Sequence, residues 1–215
     1  MQDTQGAHAQ AIGQAMGVGS GQGADFWRYF GDQAIQFGWS DDQLKQTLSK
    51  VLSANGNGQY SGQAGVLQNQ FKQMASDYGV AISDDTIGGW VKQGVLGGFS
   101  AENARAIVSA QAASRYPAFA DRLQGGETMR QIADPYVQSQ AKLLELNPQT
   151  ISLQDNNVQQ ALSSVGPDGK PAAKSVWQFE QDLRKGDPRW ATTQNAQDSA
   201  SQTAHKILSD FGMVS

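Results

Sequence analysis

The chain has no cysteine in its 215 residues, which removes disulfides, thiolate metal sites and cysteine nucleophiles together. Histidine is almost missing too. His8 and His205 are the only two, so a histidine metal site or a Ser-His-Asp relay has little to draw on, and both read as surface or helix-end residues. No run of about 18 apolar residues occurs, so nothing in the sequence reads as a membrane-spanning helix. The opening "MQDTQGAHAQAIGQAMGVGSG" has neither the basic stretch nor the continuous apolar stretch of a signal peptide. Charge is also thin, at 17% of residues. Sixteen basic against twenty acidic residues give a net charge of −4 with no basic cluster, which argues against nucleic acid as the main partner.

What fills the chain instead is Gly, Ala, Ser, Asn and above all Gln, beside 39% hydrophobic residues. Five Trp, eight Phe and five Tyr spread along the length argue against disorder. Alternating strand patterns are scarce and helical spacing is everywhere, so the expected class is all-α, a multi-helix array of short amphipathic helices. In "SDDQLKQTLSKVLSANGNG", Leu44, Leu48, Val51 and Leu52 share a face, Ser40 and Gln43 make a capping box, and the Asn-Gly run stops the helix. "GQAGVLQNQFKQMASDYG" places Val66, Leu67, Gln70, Phe71, Met74 and Tyr78 near one stripe. "ISDDTIGGWVKQGVLGG" is a weaker helix because Gly88 and Gly89 interrupt it. Ser100 caps the next helix, and Ser175 with Gln178 makes a capping box for "VWQFEQDLRKG".

Four regions follow. Residues 1–38, Gly-rich and then aromatic, read as a flexible or partner-bound arm. Residues 39–165 form a helical domain, 166–174 ("GPDGKPAAK") a linker loop, and 175–215 a helical hairpin packing on that domain. Two Asp-Pro pairs, Asp134-Pro135 and Asp187-Pro188, each read as an N-cap followed by proline at the first helical position. The second would start the last helix, with Trp190 as its anchor, Arg189 exposed to a partner, and a stripe of Ala196, Ala200, Ala204, Ile207, Leu208 and Phe211 beyond.

Chemistry is harder to find. "GVGSGQG" resembles a phosphate loop but follows no strand and lacks the lysine, and "NGNGQYSGQ" lacks the carboxylates of a calcium loop. No cofactor or metal is expected. Glu102, opening a helix after a Gly-rich turn, is the one candidate catalytic acid, although helix-dipole capping explains it equally well. The residues best suited to contact a partner are the aromatics Phe26, Trp27, Tyr29, Phe30, Tyr136, Trp177 and Trp190, together with Arg189.

The order "YPAFADRLQGG", "IADPY", "SVWQFEQDLRKGDPRW" and "ILSDFG" resembles a helical module of virion proteins from tailed bacteriophages, over roughly residue 82 to the end. Those are long Gln- and Ala-rich tail, tape-measure-like or internal virion chains. The resemblance implies a non-enzymatic structural role in the phage particle, tail-associated or packaged and ejected, with other virion proteins as partners in an oligomeric assembly. Two other readings stay open. One is a peptidoglycan-degrading, lytic-transglycosylase-like enzyme using Glu102, which lacks the Glu-Ser pair and the Gly-Leu-Met-Gln type of run usual there. The other is a host-directed binding or inhibitor protein using the aromatic arm.

Overall fold

The computed structural model describes residues 2–19 and 21–211. The all-α class holds: among the described residues eleven α-helices account for most of the chain, and the only strands are two residues each. The chain divides into two compact units, 1–108 and 109–215, and the division falls inside one helix, α6 (Ala101–Arg115).

The first unit opens with α1 (Gln2–Met16) and α2 (Ala24–Phe37), where a flexible or partner-bound arm was expected. The glycines there are contact surface, not slack. Gly6, Ala9, Gly13 and Met16 recur at three- and four-residue steps and are buried, Gly6 and Gly13 directly against α2. A Cβ on Gly13 would overlap the Trp27 ring, and one on Gly31 would lie 2.7 Å from the Gln5 carbonyl carbon. The two backbones meet closely because the side chains are absent, which leaves Trp27 and Phe30 buried at 2% and 7% exposure. Gly38, in the left-handed conformation, ends α2.

Helix α3 (Asp41–Val51) starts with the expected Ser40/Gln43 capping box and buries Leu44 and Leu48. Helix α4 (Gly62–Asp77) buries Ala64, Gln68, Phe71 and Ala75; Phe71, and Tyr78 just past its end, are buried as expected, but the stripe is rotated so that Val66 and Gln70 are exposed. Gln68 explains the rotation. Its amide donates to the Gly58 carbonyl (2.7 Å) and accepts from the Tyr60 N–H (3.0 Å), so burial satisfies it at both ends. Helix α5 (Asp84–Gly94) runs through Gly88 and Gly89 without a break and buries Ile87, Trp90 and Val91. Trp90 stacks on Phe99, with ring centroids 5.2 Å apart, and Phe71 packs edge-on against both.

The second unit continues from α6 through a 3-10 turn at Pro117–Phe119 and α7 (Ala120–Gln124) to its central helix, α8 (Met129–Leu144). Asp134-Pro135 does not start a helix. Thr128 and Gln131 make the capping box, and Pro135 sits exposed inside α8 while Ile132, Ala133 and Tyr136 on either side are buried and carry the helix past it. Helix α9 (Asn156–Leu162) leads into β1 (Ser164–Val165) and β2 (Pro171–Ala172), an antiparallel pair. The expected linker 166–174 is therefore the turn of a hairpin plus a tied strand end. Gly166 N–H donates to the Lys170 carbonyl, Lys174 N–H donates to the Ala161 carbonyl, and the Tyr136 hydroxyl donates to the Lys174 carbonyl at 2.6 Å.

Helix α10 (Val176–Gly186) begins with the Ser175/Gln178 capping box and lies on α8, where Phe179 meets Tyr136 edge-on and the Ser139 hydroxyl donates to Glu180 at 2.7 Å. Helix α11 (Gln194–Asp210) does not fold back to complete the expected 175–215 hairpin. Every residue from Gln197 to Phe211 is exposed; residues 212–215 of that region lie outside the described residues.

Candidate interaction surfaces

The Asp187-Pro188-Arg189-Trp190 turn is built differently from its sequence reading. Asp187 caps the end of α10, its N–H donating to the Leu183 carbonyl, and Trp190–Thr192 form a 3-10 turn; Thr193, buried at 5%, then caps α11 through the Ala196 N–H. The Asp187 carboxylate bends back and accepts from the Arg189 backbone N–H (2.9 Å), from Arg189 Nε (2.9 Å) and Nη2 (2.6 Å), and from Asn157 Nδ2 (2.7 Å). Those donors, the Arg189 side chain above all, hold the carboxyl down at about 2, well below the ordinary value of 3.8. Arg189 was expected to be free for a partner; its guanidinium is committed to this fork, although the side chain keeps 46% exposure. Trp190 is half-buried, with the Arg184 guanidinium 5.6 Å from its ring centroid.

From this clasp α11 leaves the unit. Asn195 fastens its first turn: its N–H donates to Glu145 Oε1 (2.8 Å) and its Nδ2 to the Lys142 carbonyl (2.9 Å). Beyond it, Ala200, Ala204, Ile207 and Phe211 recur at steps of four, three and four, with Leu208 beside them. Ile207 and Phe211 are 50% and 74% exposed. This is the spacing of a buried seam on a helix with nothing over it.

The other expected contact residues separate into two groups. Tyr136 is core: it is buried, its hydroxyl is used, and that burial pushes its phenol up from the ordinary value. Trp27 and Phe30 are core as well, and Phe26 is half-buried against both rings. Tyr29, edge-on against Phe30, and Trp177 are exposed, at 59% and 67%. Sequence reading missed Ile35 and Phe37, also exposed on α2, with Phe37 stacked on Trp39. Assigning the first 38 residues to an arm hid the faces of α2, and a helical wheel of Ala24–Phe37 would have separated them.

Two features bear on enzymatic chemistry. Glu102 is exposed in the first turn of α6, and the Ser100 hydroxyl, its own backbone N–H and nearby Arg105 hold its carboxyl below the ordinary value. A general acid at neutral pH needs the opposite direction. Among the described residues no group of three His, Cys, Asp or Glu is placed to hold a metal, and His8 bonds Asp41 at 2.9 Å. No helix of the described residues is long and apolar enough to cross a membrane. Comparison with protein-family models, curated proteins and solved structures returned no match.

Proposed function

We propose that the chain is a non-enzymatic structural protein of a bacteriophage virion, tail-associated or packaged inside the particle, which works through helix-mediated contacts with other virion proteins. The observation that carries the assembly part of this reading is α11. A lone helix of this length gains little stability in water without a packed face. Here the seam Ala200, Ala204, Ile207 and Phe211 is amphipathic, rooted at one end by Asn195, and open along its remaining length. Such a helix is a docking element, and its small alanines allow a second helix close approach before Ile207 and Phe211 bury. The assignment to a phage particle rests on the resemblance of "SVWQFEQDLRKGDPRW" and "ILSDFG".

The test is mass spectrometry of purified particles of the encoding phage, with and without the paired substitutions Ile207→Ser and Phe211→Ser. The wild-type chain should be a stoichiometric component, and the doubly substituted chain should fold normally yet be depleted from particles. A wild-type chain absent from particles would sink the virion reading. Full incorporation of the substituted chain would sink the role given to α11.

A further inference from the structure

A second surface lies in the first unit, where the loop 53–61 meets α5 and leaves a cleft of about 420 Å³. The loop is braced. Asn55 Oδ1 accepts from the N–H groups of Asn57 and Gln59, and the Gln68 amide ties Gly58 and Tyr60, so Tyr60 is held as one wall of the cleft. Along α5, the cleft is lined by Asp84, Asp85, Gly88, Gly89 and Lys92. Gly88 is explained by packing, since a Cβ there would lie 3.0 Å from the Tyr60 hydroxyl. Gly89 is not: nothing lies within 4 Å of its Cβ position, although glycine in a helix interior is destabilising relative to alanine. The bare strip is bounded by two opposite charges. Asp84 is taken by Lys72 at 2.8 Å, whereas among the described residues Asp85 and Lys92 have no partner.

Lys92 follows Asp85 by seven positions, so they share a face roughly 10 Å apart along the axis. Their midpoint falls between Gly88 and Gly89. A face with this order, minus, open glycine at Gly89, plus, is its own complement in charge when turned end for end about that midpoint. We infer that α5 is an interface between two copies of this chain, crossing antiparallel at Gly88–Gly89, with Asp85 of each copy paired to Lys92 of the other. In this arrangement the Lys92 stem of the second copy enters the cleft beside Tyr60, its ammonium meets Asp85, and the contact repeats by two-fold symmetry. Gly89 lets the two backbones come close on the side of the helix that Tyr60 does not cover, where a side chain would hold them apart. Because both ion pairs lie near solvent, association weakens with salt. The proposal concerns a face separate from α11 and does not depend on where the chain functions.

Sedimentation equilibrium of the full chain tests it, with Asp85→Lys, Lys92→Asp and the double exchange Asp85→Lys/Lys92→Asp. The wild type should form a salt-sensitive dimer, and each single reversal should raise its dissociation constant roughly tenfold or more, since two attractive pairs become two repulsive ones. The double exchange should restore association, and an equimolar mixture of the two single variants should form a heterodimer that neither forms alone. Dimerisation through α11 would not follow this exchange pattern. A monomeric wild type overturns the proposal, as does a dimer indifferent to the single reversals or one that the double exchange fails to restore. Presence in or absence from virions leaves each of these outcomes unchanged.

Discussion

Protonating or removing the Asp187 carboxylate should loosen the root of α11, and the effect has a definite pH window. The carboxyl is held at about 2 by the Arg189 fork, the Arg189 backbone N–H and Asn157, against 3.8 for the free side chain. A folded-state value depressed in this way means that the stabilisation is fully present above the unfolded value. It is lost as pH falls through the folded one, between about pH 5 and about pH 2. A shift of that size corresponds to at most about 2 kcal/mol: the Asp187 side chain is buried, but the Arg189 guanidinium that causes most of the shift is 46% exposed and partly screened by solvent. Asp187→Asn keeps the shape and one acceptor but removes the charge. It should cost about 2 kcal/mol at about pH 7 and almost nothing at about pH 2.

The assay is urea unfolding followed by circular dichroism, taken as the difference between Asp187→Asn and wild type at several pH values, so that the other carboxylates cancel. With two units present, the loss should fall in the transition of the second. Arg189→Lys should recover only part of the stability, because an ammonium cannot reproduce the fork on both carboxylate oxygens. A wild-type-minus-variant difference that stays constant from about pH 7 to about pH 2 would refute the reasoning, as would a cost below about 0.5 kcal/mol at about pH 7.

Glycine substitutions should separate by what their new Cβ would meet: Gly13→Ala and Gly31→Ala should lower the stability of the first unit by about 1–3 kcal/mol, while Gly89→Ala, at protein concentrations low enough to keep the chain monomeric, should raise it by up to about 1 kcal/mol. Thermal melting decides it, and a destabilising Gly89→Ala would mean that the α5 strip is more crowded than its geometry shows. Gln140 is fully buried in α8 with neither amide atom bonded to protein, so Gln140→Met should leave stability unchanged or raise it by about 1 kcal/mol. A clear drop in melting temperature would point to a polar partner for that amide. Ile207→Ser with Phe211→Ser, both exposed, should shift the unfolding midpoint by no more than about 0.5 kcal/mol, in contrast to their effect on assembly.

Local signals were the legible part of this sequence. Ser40/Gln43 and Ser175/Gln178 form their capping boxes, because such boxes are settled by four consecutive residues and need no tertiary partner. The α4 stripe was misphased because hydrophobicity ranks Val66 above Gln68 and Ala64, while the fold buries the residue whose amide can be satisfied at both ends and the residue small enough for close contact. Asp187 was misread for a related reason. An aspartate before proline can cap the helix that follows or close the one behind, and the choice was made by Asn157, thirty residues away, together with the Arg189 fork. Tyr136 and Trp27 looked like contact residues because aromatics are enriched in cores and interfaces alike, and nothing in a single sequence separates the two uses.

The glycines carry the largest discrepancy and the most information. In α1 and α2 they read as flexibility, yet Gly13 and Gly31 sit where a side chain has no room. In α5 the same residue sits at Gly89, where a side chain has ample room and its absence costs stability. Within one chain, then, glycine marks a contact already made and a contact still open. The open α5 face is self-complementary in charge, which is what the proposed two-fold pairing would use. The α11 seam is a different surface on the other unit. If both proposals hold, the two-fold contact at α5 would close pairs and the α11 seam would link those pairs onward, which a single two-fold interface cannot do.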